Sequence, residues 1–391
     1  MIPEDYKGVR AADVYVAGTL AAHLTKDQQG TVTFSYKPGY RGRPVATTLP
    51  LDAPPLVSPA GALPAFFAGL LPEGYRLTLL RAATKTSLDD EFTLLLAVGQ
   101  DTPGNIQVVP AGQLPSETPA LLVGNPETLD FSQLFVAVDS HALPGVQAKA
   151  SAQMMTATAT GGDGTSALVK VNPGSYPQLV QNEYAHLRAA QVLKLPVASA
   201  QLVCDSLGVE GLWISRFDRG EGGARYAFED STQVLGVHPA QKYSLETERV
   251  ISALADLAVS PLIARRNLYL QFVYAWLTGN GDLHGKNIGV LETARGGWEV
   301  APIYDVPCTL VYGDNSLALP VAGQTRNLRR RHWLELADSI GLPLKAAVSA
   351  HRLALTAAVS VDWGAIGLEG SSVRGAQREL RFRRYELEQD A

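Results

Sequence analysis

Gly279-Asn-Gly-Asp-Leu-His-Gly-Lys-Asn-Ile-Gly-Val-Leu291 is the stretch on which the reading of this chain turns. It follows Leu268–Leu277, an apolar segment with the pattern of a buried helix, and runs into Ile288–Leu291, a short apolar strand candidate. A polar loop pinned between two buried elements is a good place to fix reactive groups. Within it Asp282 and Asn287 stand five residues apart. That is the spacing of a phosphotransfer loop, in which an aspartate takes the proton of the accepting hydroxyl and an asparagine ligates magnesium. Eighteen residues beyond Asn287 comes Asp305, at the end of a second strand candidate, Trp298–Tyr304, where a kinase carries its main metal-binding carboxylate. Gly-Asn-Gly-Asp alone is also ordinary turn chemistry. The order of loop, strand, hairpin and second strand-end aspartate is what points to phosphotransfer.

At 391 residues the chain is long for one core, so two or three compact units are expected. With 46% apolar and 18% charged residues it belongs among folded globular proteins. A net charge of −5 argues against a chain whose main work is gripping nucleic acid. Two cysteines, Cys204 and Cys308, are too few and too far apart for a disulfide framework or a zinc site. Met1–Lys7 shows no secretory pattern, and no run reaches the roughly 18 apolar residues that span a bilayer. A cytoplasmic protein with no membrane partner is the expectation.

Residues 13–51 alternate in the β manner, and from Pro59 the pattern turns helical. Ser87-Leu-Asp-Asp-Glu91 reads as an acidic helix start, and Gly99 as its stop. Pro110–Pro126, rich in Pro, Gly, Ser and Thr, reads as a connection. Helical periodicity returns from about Glu246 to Leu277 and from Arg329 onward, so the last part of the chain should be mostly α. The charge alternation of Arg374–Asp390 fits a final helix with a solvated face. The expected division is an N-terminal β/α module at 1–110, a linker at 111–130, a nucleotide-binding lobe at 131–240 and a helical lobe with the catalytic loop at 241–391.

Two further stretches bear on a nucleotide. Gly145-Val-Gln-Ala-Lys149 precedes a small-residue stretch, and its backbone amides and Lys149 suit phosphate oxygens as well as an ordinary hairpin. Lys170 sits in the apolar strand candidate Ser166–Val171, where a charge is costly without a partner. Asn182-Glu-Tyr184 opens a helix that offers Glu183 as that partner, the strand-lysine and helix-glutamate pair of kinases, against the plainer reading of a surface lysine. Gly211–Arg219 ends a strand where a nucleotide-binding lobe would hand over to the next. Its backbone is placed to hydrogen-bond adenine, with Phe217 packed nearby. Glu229 and Asp230 suit the positive start of a following helix.

Together these residues resemble the HipA family of bacterial toxin kinases over nearly the whole chain. The motifs that carry the resemblance are Phe66-Phe-Ala-Gly-Leu-Leu-Pro-Glu-Gly74, Gly145-Val-Gln-Ala-Lys149, Asn182-Glu-Tyr184, Arg216-Phe-Asp-Arg219, Glu229-Asp-x-x-Gln233 and Asp282-x-His-x-Lys-Asn287. The resemblance implies an α+β, protein-kinase-like two-lobed fold with an extra N-terminal β/α module and a mostly α C-terminal lobe. It implies serine/threonine phosphorylation with ATP and Mg2+, and targets that include aminoacyl-tRNA synthetases in known members. It also implies a HipB-like DNA-binding antitoxin, with DNA met only through that partner. Carried over by motif, Asp282 is the catalytic base, Asn287 and Asp305 the metal ligands, and Lys170 the phosphate-holding lysine. Gly145, Val146, Gln147, Ala148, Lys149, Ser215, Arg216, Phe217, His284, Lys286 and Tyr304 complete the nucleotide site. Members often carry autophosphorylated serines one or three positions before the Gly-Val-Gln glycine. Here those positions are Pro144 and Ala142, which accept no phosphate, so that form of self-regulation is in doubt.

Gly281-Asp-Leu-His also resembles the loop of aminoglycoside and choline kinases, and a non-catalytic scaffold for an antitoxin–DNA complex is a third reading. The N-terminal module speaks against the former. Retention of Lys170, Asp282, Asn287 and Asp305 together speaks against the latter.

Overall fold

The start of the chain folds into an antiparallel meander, but residues 12–16 are buried without a break rather than in alternation, and the third strand ends at Tyr36, short of the expected residue 51. The computed structural model describes residues 6–117, 119–134, 154–294 and 296–388, and its contacts divide the chain into two units. One comprises Met1–Pro119 with Asp218–Lys242; the other comprises Ala120–Phe217 with Tyr243–Ala391. In the first unit β1 (Ala11–Val16), β2 (Thr19–Lys26), β3 (Val32–Tyr36) and β4 (Leu56–Ser58) precede α1 (Ala65–Gly69), α2 (Gly74–Thr84), α3 (Glu91–Val98) and β5 (Ile106–Pro110). The sheet order is β4-β3-β2-β1-β5. Ala17 and Gly18, both at positive φ, form the tight turn between β1 and β2, matching the twist of the hairpin. Phe34, Phe67, Phe92 and Leu95 lie in the core that the sheet and helices enclose. The acidic helix start is borne out in detail: the Asp90 side chain caps α3 by accepting from Thr93 N, and Gly99 ends it.

The second unit opens with β6 (Leu122–Val123), β7 (Met155–Thr160), β8 (Ser166–Val171), α4 (Leu179–Ala190), β9 (Ala200–Cys204) and β10 (Glu210–Ser215). They form a sheet of order β6-β7-β8-β10-β9. β7 and β8 alternate buried and half-buried residues, one face against the core, as the period of two requires. Part of the stretch read as a linker is thus a strand, because Leu122–Val123 pairs in parallel with Ala159–Thr160. α4 begins three residues before Asn182, behind Gln178 at φ 57, so Asn182-Glu-Tyr184 lies inside the helix and not at its opening.

The chain then returns to the first unit with β11 (Phe228–Asp230) and α5 (Ser231–Val234). This differs from the single lobe expected over 131–240: Asp218 accepts from Gly104 N at 2.8 Å, and Arg219 donates to Asp101, Thr102 O and Gly104 O. Asp230 caps α5 in a box with Gln233. Glu229 is not a first-turn residue. It accepts from Thr47 N at 2.8 Å and from Thr47 Oγ1 at 2.6 Å.

The rest of the second unit is α6 (Thr247–Leu257), α7 (Pro261–Thr278), the hairpin β12 (Gly289–Glu292) and β13 (Trp298–Val300), and then α8 (Arg330–Ser339), α9 (Leu344–Val359), α10 (Trp363–Ile366) and α11 (Ser371–Glu388). Every residue of α7 from Leu268 to Thr278 is buried, which is why its sequence is apolar all round. β13 stops at Val300, earlier than the expected Tyr304, since Pro302 has no amide to donate to a ladder. Ile303 instead makes a single parallel bridge with Val197. α11 buries Val373, Ala376, Leu380 and Leu387, and also Arg383, so its charged face is not wholly solvated. No helix among the described residues is long and apolar enough to cross a membrane.

Candidate phosphotransfer site

The loop after α7 is set by two glycines. Gly279, at φ 73, ends α7 in the left-handed conformation that its Cβ-free backbone allows. A Cβ on Gly281 would lie 2.5 Å from Ser316 O and 2.6 Å from Asp314 Oδ2, so only glycine lets the loop approach that segment. Gly281 N donates to Thr309 Oγ1 at 2.8 Å. Asp282, 2% exposed, follows with its amide bonded to Asn280 Oδ1 at 2.9 Å. Asn287 closes the loop on itself, donating from Nδ2 to Asp282 O at 3.0 Å.

Four elements bring their side chains to one place in the second unit. Lys170 of β8 donates from Nζ to Glu183 of α4 at 2.8 Å and to Asp305 Oδ1 at 2.7 Å. Asn287 Nδ2 donates to Asp305 Oδ2 at 2.7 Å. The strand lysine therefore has the helix partner that its apolar setting demanded, and the surface-lysine reading falls away. Asp305 sits at φ 52, a backbone conformation that non-glycine residues hold only where their surroundings impose it. Besides Lys170 and Asn287, Asn182 imposes it: its amide accepts from Cys308 N at 2.9 Å and donates to Cys308 O at 3.0 Å, clipping the segment after Asp305 to α4.

The electrostatics follow from burial. Burial alone would lower the Lys170 ammonium, but Asp305 and Glu183 hold it well above the ordinary lysine range. Burial would raise Asp305, yet Lys170, His284 and the Asn287 bond bring it below the usual carboxylate range. Glu183, fully enclosed, is pushed up by desolvation, with Lys170 opposing and Asp305 adding to the shift. The cluster is a charged lysine between two carboxylates, with negative charge in excess on the Asp305 side.

Of the residues expected around the nucleotide, Phe217, Tyr304 and Lys286 meet. Phe217 and Tyr304 rings lie 5.5 Å apart, and Tyr304 donates from its hydroxyl to Lys286 O at 2.7 Å. The amides of Ser215 and Arg216 are bonded to Ser199 O and Ser166 O, so those two are not the groups that meet a base. His284 lies in the loop with its ring edge-on to Tyr243 at 4.9 Å. Gly145, Val146, Gln147, Ala148 and Lys149, with Ala142 and Pro144, fall outside the described residues.

Sequence reasoning missed Tyr243, whose hydroxyl donates to Asp282 Oδ1 at 2.8 Å; nothing in local spacing links residues 39 apart. It also missed Thr309 and the role of Asn182, since the partners of both lie far along the chain.

A divalent cation fits this donor set. Asp305 offers a carboxylate of depressed pKa, and Asn287 spends its Nδ2 on two bonds, so its Oδ1 is the end those bonds leave over. Two hard oxygen donors are what magnesium takes from a protein when substrate phosphates supply others. Among the described residues no three His, Cys, Asp or Glu side chains cluster as an all-protein cage.

A strand lysine paired to a helix glutamate, with an aspartate and an asparagine poised beside a buried loop aspartate, is the equipment of a phosphotransferase. The comparisons with known proteins agree. The HipA-like C-terminal domain model matches residues 141–362, and the HipA N-terminal domain model matches residues 12–109. A putative kinase of Sinorhizobium fredii is 31% identical over 389 residues, covering 90% of each chain. The serine/threonine-protein kinase toxin HipA of Shewanella oneidensis is 28% identical over 365 residues, covering 85% of this chain and 81% of that one. A chain of the solved Shewanella oneidensis MR-1 complex of HipA, HipB and operator DNA superposes with a TM-score of 0.76 at 23% identity, over 95% of this chain and 96% of that chain. The chain belongs to the HipA family of serine/threonine-protein kinase toxins.

Proposed function

We propose that the second unit is a two-lobed, protein-kinase-like catalytic unit that moves the γ-phosphoryl group of ATP to a protein serine or threonine hydroxyl. Asp282 serves as base, and Asn287 and Asp305 serve as the magnesium ligands. The observation that carries this is the chain of bonds from Glu183 through Lys170 and Asp305 to Asn287, which ties β8, α4 and the two loops into one site.

Bound magnesium would neutralise charge on the phosphates during transfer. Lys170, anchored by buried Glu183, presents a permanent positive charge to phosphate oxygens. Asp282 orients the acceptor hydroxyl and takes its proton as the oxygen–phosphorus bond forms, and ADP leaves with the electrons of the broken bond. Phe217 and Tyr304, whose rings meet, line the base. A HipB-like antitoxin is the partner this reading supplies, supported by the HipA–HipB–DNA complex of the Shewanella relative, with DNA met through that partner. An aminoacyl-tRNA synthetase is the kind of target protein the family reading suggests.

Magnesium-ATP should raise the melting temperature, as a ligand selective for the folded state must. Lys170→Ala should remove most of that rise. No rise in the wild type at millimolar magnesium-ATP would count against the reading.

A further inference from the structure

Tyr243 stands on the turn before α6, and its hydroxyl donates to Asp282 Oδ1 at 2.8 Å. Asp282 is 2% exposed and Tyr243 is 38% exposed, so the phenol stands at the base with part of its surface toward solvent. The ring is further seated edge-on against His284, inside the same loop. A substrate hydroxyl that is to lose its proton to Asp282 must come within about 2.6–3.2 Å of the same carboxylate and donate the same kind of bond. Tyr243 already makes that bond with the same chemical group, an O–H on carbon. Its reach from a turn outside any helix or strand lets it withdraw without unmaking secondary structure.

Resting on the kinase reading above, we propose that Tyr243 is the resident occupant of the acceptor-hydroxyl subsite, and that a substrate serine or threonine gains Asp282 by displacing it. Tyr243 then sets a threshold for acceptors. A hydroxyl presented by a well-bound protein displaces the phenol, whereas a lone water molecule does so poorly, and ATP is spared from hydrolysis in the absence of substrate. The opposite role, a phenol that holds Asp282 in its working orientation, makes the reverse prediction for the same variant.

The test uses the full chain with magnesium-ATP, reading ADP release into water and nucleotide binding by thermal shift for the wild type, Tyr243→Phe, Tyr243→Ala and Tyr243→Phe combined with Asp282→Asn. Removing a hydrogen bond to a charged carboxylate should raise ATP hydrolysis on the order of tenfold in Tyr243→Phe. The rise should be at least as large in Tyr243→Ala, which also clears the ring. Nucleotide binding should be unchanged, and the gain should vanish in the double variant because it passes through Asp282. If nucleotide binds and hydrolysis in both Tyr243 variants equals or falls below that of the wild type, undetectable turnover in all of them included, the occupant role is overturned. If no protein binds nucleotide, the kinase reading itself fails, and this inference with it.

Discussion

Arg383→Ala tests how the C-terminal helix supports the catalytic loop. Arg383 is 3% exposed, yet it lies on the charged face of α11. Its guanidinium stacks 3.6 Å over the Trp276 ring and donates at 3.0 Å to Trp276 O, at 3.0 Å to Glu379 Oε1 and to Asn315 Oδ1. Trp276 is in the last turn of α7, three residues before the glycine that opens the loop, and Leu380 one turn earlier on α11 packs with Cys308 beneath that glycine. Removing one partner of a buried charged pair costs about 3–5 kcal/mol. Glu379 is 33% exposed and water can take over its bond, so the lower end applies, about 3 kcal/mol. For a unit of this size each kilocalorie moves the midpoint by roughly 2–4 °C, which gives a fall of roughly 6–12 °C. Trp213, Trp276, Trp298, Trp333 and Trp363 account for every tryptophan and all lie in the second unit, so tryptophan fluorescence melts read that unit alone. Arg383→Lys should recover little, because an ammonium lacks the planar fork that meets several acceptors. A fall under about 2 °C in Arg383→Ala would refute the bracing role.

Two predictions concern pH. Burial holds His186 and His351 down to about 4, with Arg330 adding to the effect on His351, so both are neutral in the fold. Below the ordinary value of 6.5 the unfolded chain takes up protons that the native state refuses, and stability is lost as pH falls from about 6.5 toward 4. The loss amounts to about 3 kcal/mol for each histidine, and the fluorescence melt should fall accordingly; a flat profile in that window would contradict it. Glu229 runs the other way. Burial pushes its carboxyl up to about 7, with the Thr47 bonds opposing and Asp230 adding, so it weakens the first unit as pH rises from 4.5 to about 7. Glu229→Gln should therefore slow amide exchange in that unit at pH 7.5 relative to pH 5, measured against wild type; the same pH dependence in both proteins would refute it.

Much of the fold was legible because local signals and tertiary demands agreed. The β strands within the first part of the 13–51 stretch, the Asp90 cap with its Gly99 stop, and the all-apolar α7 each satisfy propensity and burial at once, although the described residues 37–51 hold no strand. Lys170 was legible for a different reason: a charge in an apolar strand demands a partner, and Glu183 stood one helix away. What escaped was set by long-range contacts. Pro302 ended β13 early, so Asp305 is placed by Lys170, Asn287 and the Asn182–Cys308 clip rather than by a strand. The attachment of Asp218 and Arg219 to the 101–104 turn spans more than a hundred residues, which no periodicity registers. Arg383 looked like a solvated charge because burial of an arginine depends on acceptors that the helix itself does not encode.

Transfer of labelled γ-phosphate from ATP into protein in a cell lysate, with the wild type set beside Asp282→Asn and Asp305→Ala, tests the central claim most directly. The wild type should label at least one protein. Asp282→Asn should retain nucleotide binding and lose transfer by about 10²–10⁴-fold. Asp305→Ala should lose both transfer and magnesium-dependent nucleotide binding. Transfer at near wild-type rate by either folded variant would contradict the assignment of the site.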